Sequence, residues 1–377
     1  MARRQGTGEV TISDVARLAG VSKAQAARAM GGYGSVSTEA KQRVQQAAQQ
    51  LGYRPNALAR SINTGKSQSL GVVVGDVENP YFGQVIRGIS DVARSQGFDV
   101  VLANTGESLA DEEKAVKMLL DKRVDGLLIC PTSRSAHGHI LEAERTGRPV
   151  VLFDRDISAP GLDVVQMRIS EVTRQAVEKL IEAGHRRIAY MSTLTLASEE
   201  FEVGQELDLS TVTQRVDGIR MAHENAGVDV DSRLFRFGVS NREAADSAVG
   251  ELLQMSGPPT ALVASDSLVA LDLLLSLKRR SIRVPEDVSL VMLDDQPWAE
   301  LVEPPITAVF QPAYSLGEQA ATALFERIAG ADGGRGIWLT PNLVHRSSVA
   351  PPSTRGEKNE EVVSKRPCGA GDSPRTF

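Results

Sequence analysis

Val10-Thr11-Ile12-Ser13-Asp14-Val15-Ala16-Arg17-Leu18-Ala19-Gly20-Val21-Ser22 is the stretch that decides the reading of the N-terminal region. Ile12, Val15, Ala16 and Ala19 recur at helical spacing, Ser13 is the expected N-cap, and Gly20 ends the run. Ser22 caps a second predicted helix that continues through Lys23, Ala24, Gln25, Ala26, Ala27 and Arg28 to about Met30, where glycines at 31, 32 and 34 stop it. A third helix starts at Ser37, places Glu39 in its first turn where a negative charge suits the helix dipole, and closes at Gly52. Val44, Ala47, Ala48 and Leu51 form its apolar stripe. Two short helices joined across Gly20-Val21, buried by a third, make a helix-turn-helix pattern. In that geometry the second helix enters the major groove. Lys23, Ala24 and Arg28 then point outward: Arg28 toward a guanine edge, Lys23 toward a guanine or a phosphate, Ala24 toward a thymine methyl. The alternative is a small helical bundle with a solvated basic face.

Charge separates this region from the rest. Residues 1–66 hold ten Lys/Arg against three Asp/Glu, a net +7, while the remaining residues carry −13 within a chain total of −6. A polyanion is attracted by the head and repelled by the body. The 377 residues exceed one ordinary core and predict two or three units. A hydrophobic content of 41% is enough to build globular cores. Cys130 lies in an apolar run and Cys368 in a polar segment, so no structural disulfide is expected and a reducing cytoplasm fits. No apolar core follows the N-terminal arginines, so no signal peptide is expected, and no apolar run approaches the roughly 20 residues of a membrane span.

From residue 68 onward, apolar runs alternate with helical patterns, the signature of parallel α/β architecture. Strands are expected at 70–74, 98–103, 126–130 and 149–153, with helices at 81–96 and 111–122. These make a first doubly wound lobe. A second series is expected to begin near Val164, with helices at 172–183, 217–226, 267–278 and 314–329 and strands at 188–191, 261–264 and 288–293. Two such lobes form a clam with a ligand cleft at the strand ends. Residues 351–377 are rich in Pro, Gly and charge without pattern, and are expected to be disordered.

The opening stretch, together with Leu51-Gly52-Tyr53-Arg54-Pro55-Asn56-Ala57-Leu58-Ala59-Arg60-Ser61, resembles the LacI/GalR family of bacterial transcription regulators, and the resemblance continues to about Pro352. It implies an all-α helix-turn-helix head over residues 1–55, a hinge helix and linker over 56–67, and a two-lobed, periplasmic-binding-protein-like body over 68–350 that binds a small-molecule effector and dimerises. Carried onto this sequence, the DNA-contacting positions are Thr11, Ser22, Lys23, Ala24 and Arg28 in the head, and Asn56, Ala59 and Ile62 in the hinge. Ile62 stands where the family wedges an apolar side chain into the minor groove and kinks the duplex. A hinge of two turns is marginal alone in water, and a plain linker is the alternative. The sequence departs from the family at Gln25, Ala26 and Ala27, where Thr-Val-Ser is usual, and at Gly31, which replaces a common Asn. These changes bear on base preference.

The effector positions implied are Tyr81, Phe82, Asp154, Arg168, Arg215, Ser265 and Asp294. Tyr81 and Phe82 follow Asn79-Pro80 where a strand gives way to a helix; an ordinary turn with Phe82 in the core is the alternative. Asp154 and Arg155 either face the cleft or pair with each other. Arg215, read as lying just before a helix, matches a family arginine whose guanidinium fork holds hydroxyls or carboxylates. Asp294 matches a family aspartate that accepts from sugar hydroxyls or base nitrogens. Ser265-Asp266 matches an Asn-Asp pair, though Asp266 also suits a helix cap. Arg168 replaces an aspartate usual in the family and suits an anionic ligand if it points inward. Leu293 replaces an aromatic, and the stretch 192–210 is long and acidic and is expected at the cleft mouth. His137 and His139 make a poor metal motif, His185 is expected to cap helix carbonyls, and 330–336 lacks a phosphate-loop ending. No catalytic residue, metal or cofactor is expected. The partners expected are pseudo-palindromic double-stranded operator DNA, a small-molecule effector and a second copy of the chain, as a homodimer or a tetramer, with no membrane. A small-molecule binding protein or enzyme with a vestigial head, and a regulator that has lost effector control, are the alternatives.

Overall fold

In the computed structural model, residues 10–31, 34–53, 67–196 and 201–353 are described. The expected hinge helix and its linker up to residue 66, the acidic residues Glu199 and Glu200, and the expected disordered tail from 354 lie outside them.

The head is three helices: α1 (Ile12–Ala19), α2 (Lys23–Gly31) and α3 (Thr38–Leu51). The cap of α1 is Thr11, not Ser13. With Thr11 outside the helix, Asp14 falls at the third helical position, and its carboxylate accepts from the Thr11 backbone N at 3.1 Å and hydroxyl at 2.7 Å. Ser22 and Gln25 repeat the reciprocal cap on α2, the Gln25 N donating to Ser22 Oγ at 3.2 Å and the Ser22 N to Gln25 Oε1 at 3.2 Å. The departure at Gln25 therefore has a structural use. Ser37 caps α3, and Gly52 ends it in the left-handed region at φ +64°. Val15, Ala16, Ala19, Ala26, Ala29, Val44, Ala47 and Ala48 close a core made wholly of head residues.

The body begins with β1 (Ser69–Val74), α4 (Pro80–Ser95), β2 (Asp99–Asn104), α5 (Leu109–Asp121), β3 (Gly126–Ile129), α6 (Gly138–Arg145), β4 (Val150–Phe153) and β5 (Asp163–Met167). It continues with α7 (Ile169–Glu182), β6 (Ile188–Met191), α8 (Ser210–Ala226), β7 (Phe235–Arg236), α9 (Arg242–Gln254), β8 (Ala261–Ala264), α10 (Ser267–Arg279), β9 (Ser289–Met292) and β10 (Thr307–Phe310). It ends with α11 (Ala313–Ile328), β11 (Gly336–Leu339) and β12 (Asn342–Val344). One sheet has the order β11-β5-β4-β3-β1-β2 and the other β12-β10-β9-β8-β6-β7. All pairings are parallel except that of β12 with β10.

Three assignments change. The second lobe does not begin near Val164: β5 pairs with β4 in the first sheet, and the crossing comes after Met167. The helix expected at 314–329 returns to the first lobe, where Ala313, Leu316, Ala320 and Leu324 join the core under β1 and β4. Helix α8 begins at Ser210 rather than at residue 217, so Arg215 lies inside it. The run Thr211-Val212-Thr213 has poor helix propensity, but burial of Val212 and Val216 overrides it. Helices α6 and α9 were not anticipated. His185 does not cap helix carbonyls; it bridges Thr260 Oγ1 at 2.8 Å, Ser289 Oγ at 2.9 Å and the Ala350 carbonyl at 2.9 Å. Arg186 Nη1 takes the capping role, donating to the Ile181 carbonyl at 2.9 Å.

Helices α4 and α11 touch backbone to backbone. A Cβ at Gly88 would lie 2.2 Å from the Tyr314 carbonyl oxygen, and one at Gly317 would lie 2.1 Å from that of Val85. In the second lobe a Cβ at Gly218 of α8 would lie 2.5 Å from the Ser170 carbonyl oxygen of α7. Gly317→Ala is therefore expected to cost about 1–3 kcal/mol through overpacking. Gly83→Ala, on the same helix as Gly88 but with nothing within 4 Å, gains helix propensity and leaves stability level or higher. Urea unfolding of the two variants checks the contrast.

Candidate functional site

Only Arg168 separates β5 from α7, Gln311 and Pro312 separate β10 from α11, and Thr340 and Pro341 separate β11 from β12. Such short links leave the carboxyl ends of both sheets facing each other across a cleft of about 870 Å³. Open α/β sheets bind ligands at these ends.

In the first lobe, the Asn79 side chain caps α4 by accepting from the Tyr81 N at 3.0 Å, with Pro80 preset for the first helical position. That cap fixes Tyr81 in the first turn, and its hydroxyl donates to Asp154 Oδ1 at 2.6 Å. Tyr81 and Phe82 meet edge to face at 5.3 Å. Asp154 follows β4 in the left-handed region at φ +65°. Next to it, buried Arg155 donates to Glu107 Oε2 at 2.6 Å and Oε1 at 2.8 Å and to the Pro131 carbonyl at 3.2 Å. Glu107 is also left-handed, at φ +60°. A Cβ on Gly75 would lie 2.2 Å from its Oε1, so any larger residue there displaces the carboxylate. Burial works to raise the Glu107 carboxyl, but Arg155 outweighs it and holds the group below its ordinary value.

In the second lobe, Arg215 reaches the cleft from α8, and its buried Nε has no hydrogen-bond partner. Asp266 caps α10, accepting from the Leu268 and Val269 N atoms at 3.0 Å each. Asp294 follows β9, buried, with only long bonds from Ser267 Oγ at 3.3 Å and Gln296 Nε2 at 3.4 Å. Burial first, then the neighbouring Asp266 charge, push its carboxyl up to about 7.

The long segment after β6 lines the same cleft through Thr193–Leu196 and Gln205–Leu209. Phe201 anchors it between Phe235 and Phe237, with ring centroids at 5.1 and 4.9 Å. It also reaches the first lobe. Asp208 accepts from the Arg134 N through its carbonyl at 2.8 Å. Its Oδ1 accepts from the Ser135 N at 3.0 Å and hydroxyl at 2.7 Å. Ser210 Oγ accepts from the Asp156 N at 3.2 Å, and Arg134 pairs with Glu206.

Of the expected cleft residues, Tyr81, Phe82, Asp154, Arg215 and Asp294 converge. Arg168 does not: it is exposed at the first crossing, its guanidinium 5.7 Å from the centre of the Trp338 ring, where a cation–π contact holds it. Ser265 does not line the cleft either; it is buried behind Asp266 and donates to Asp266 Oδ2 at 2.7 Å. The long acidic stretch 192–210 lines the cleft through Gln205–Leu209, whereas Glu107 and Asp76 were missed. No local motif marks them, because strand register and crossings bring them in. In the head, Lys23 and Ala24 are exposed, and Arg28 is half-buried with its Nε donating to the Ala24 carbonyl at 3.3 Å. Thr11 and Ser22 are exposed caps. Asn56, Ala59 and Ile62 lie outside the described residues. Among the described residues no His, Cys, Asp or Glu cluster has the makings of a metal site.

A head of this kind joined to a body of this kind defines a ligand-responsive DNA-binding regulator, and comparison with known proteins agrees. Residues 11–56 match the family of bacterial regulatory proteins of the lacI type, and residues 67–347 match the periplasmic binding proteins and sugar-binding domain of the LacI family. The chain belongs to the LacI family. It is 31% identical over 342 residues to the HTH-type transcriptional repressor PurR of Aliivibrio fischeri (strain MJ11), covering 90% of this chain and 98% of that one. It is 30% identical over 351 residues to the repressor CytR of Escherichia coli (strain K12), covering 92% and 98%. The solved complex of the transcriptional regulator CelR with cellobiose superposes with a TM-score of 0.66 at 29% identity, covering 90% of this chain and all of that one.

Removing the Asp208 carboxylate tests the cross-lobe clasp. In Asp208→Ala the Ser135 amide loses its acceptor, and its hydrogen exchange is expected to quicken about tenfold or more. Unchanged protection at Ser135 would show that the clasp does not hold the lobes.

Proposed function

We propose that this chain is a cytoplasmic, dimeric transcriptional repressor whose operator affinity is set by a small polar ligand held between the lobes. The division proposed is a DNA-reading head over 1–55, a hinge and linker over 56–67, an effector-binding and dimerising body over 68–350, and a tail over 351–377. The observation that carries the reading is the meeting of Tyr81 and Asp154 from one lobe with Arg215 and Asp294 from the other in a single cleft. A ligand touching all four has a different affinity for each arrangement of the lobes, which is the condition for switching.

On DNA, α2 enters the major groove with Lys23, Ala24 and Arg28 toward the bases, while Thr11 and Ser22 approach the backbone. The hinges of two subunits, with Asn56, Ala59 and Ile62, pair on a pseudo-palindromic site, and Ile62 wedges a base step. A hinge of two turns is marginal alone, so lobe movement that separates the pair releases the operator. Enzymatic activity is not part of the reading, since the relatives the chain resembles are transcriptional repressors.

Two measurements test this. Arg28→Ala is expected to cost about 1–3 kcal/mol at the cognate operator and to relax sequence preference. Equal weakening on cognate and random duplexes would make Arg28 a phosphate contact. Arg215→Ala and Asp294→Ala are each expected to abolish the ligand response while operator binding without ligand persists, read by titrating operator with and without ligand. A variant that still responds fully removes that residue from the site.

A further inference from the structure

Eight carboxylates and two guanidiniums line the cleft. Several are already spent. Arg155 is taken by Glu107, at 2.6 Å, and stands 3.6 Å from Asp154. Glu206 pairs with Arg134, and Asp272 with Arg242 at 3.7 Å. Asp76, Asp208, Asp266 and Asp294 have no cation within ion-pair distance among the described residues, and the one remaining cation is Arg215, itself without a carboxylate at that range. Arg168, the cation that would have suited an anionic ligand, lies outside on Trp338.

We propose that the cleft selects a cationic ligand, a small polyhydroxylated amine of the amino-sugar kind, over its neutral or anionic counterparts. The proposal rests on the reading of this cleft as the effector site. An ammonium brings three donors and no acceptor, which matches a wall rich in acceptors and poor in donors. Asp294 is the centre of the argument. It is buried, its two hydrogen bonds are long, and the charged or titratable groups that face it are Asp266, Arg215 and Tyr81. Burial first, and then the Asp266 charge that the single Arg215 guanidinium does not offset, push the Asp294 carboxyl up to about 7. A ligand ammonium beside Asp266 and Asp294 supplies the missing positive charge and favours the ionised form of Asp294. A carboxylated ligand would add a further negative charge to the same wall. The hydroxyls of the ligand use Arg215, whose Nε lacks a partner, and the Tyr81 and Phe82 rings cover its apolar face.

The test is a charge series on the full-length chain, read by calorimetric titration. Cellobiose, its β-1,4-linked diglucosamine counterpart and its diacetylated form differ chiefly at the amine, and glucose, glucosamine and glucuronic acid repeat the series at monosaccharide size. The amine member is expected to bind about tenfold or more tighter than its hydroxyl partner, and Asp294→Asn, which keeps the shape and removes the charge, should bring the ratio close to one. Asp208→Asn serves as a second variant at the rim and should lower the ratio without abolishing it. Equal or tighter binding by a neutral or carboxylated member overturns the charge selectivity and leaves the cleft as effector site standing. Silence of every member overturns the proposal together with the reading of the cleft as a site for sugar-like ligands.

Discussion

The body depends on its three chain crossings. Each leaves the carboxyl end of a strand and reaches the other lobe within one or two residues. The links are too short to let the sheets face any other way, so the strand ends that carry Asp154, Asp266 and Asp294 must look at one another. The crossings are also tied together. The Arg168 N donates to the Leu339 carbonyl at 3.0 Å, joining the first to the third. Gln311 Nε2 donates to the Leu293 carbonyl at 2.8 Å, fixing the second to the strand that bears Asp294. The lobes are also joined across the cleft by the clasp of Asp208 on Ser135.

Much of this was legible in the sequence because it is local. Helix caps, apolar stripes and buried strands leave a mark within a few residues, and Ser37, Gly52, Asn79 and the strands at 188–191 and 261–264 stand where periodicity and turn chemistry put them. Tyr81, Asp154, Arg215 and Asp294 came from the family resemblance together with their positions at element ends. What stayed hidden is non-local. Nothing near Asp163 says that its strand belongs to the first sheet, or that α11 doubles back to cover it. Nothing near Glu107 announces Arg155, 48 residues on. The acidic stretch after β6 was visible as composition, but its clasp on Ser135 depends on a fold already formed. Arg168 was misplaced because a single residue at a crossing has no neighbouring pattern to orient it, and the Trp338 ring that holds it arrives from the end of the body.

The charge distribution reads differently at each scale. The head carries +7 and the rest of the chain −13, which confines contact with a polyanion to the small basic unit and keeps the body away from it. Inside the body the excess negative charge is not spread evenly. Some surface carboxylates are tied to arginines in short-range helical pairs, such as Arg174 with Glu171 and Glu178, whereas Asp76, Asp208, Asp266 and Asp294 at the cleft share, among the described residues, one guanidinium not already ion-paired, that of Arg215.

The crossings also order the birth of the molecule. The head closes its core with residues 12–53 alone and can fold soon after it leaves the ribosome. The first lobe cannot. Its sheet takes its outermost strand from Gly336–Leu339 and its covering helix from Ala313–Ile328, so it waits for synthesis of the whole second lobe. That lobe in turn receives its last strand only at Asn342–Val344 and its clasp on His185 only at Ala350. A nascent chain thus offers a finished DNA-reading unit well before it has a finished ligand site. Neither lobe of the body can be completed without the other's chain, so the two mature as one late event rather than as successive domains.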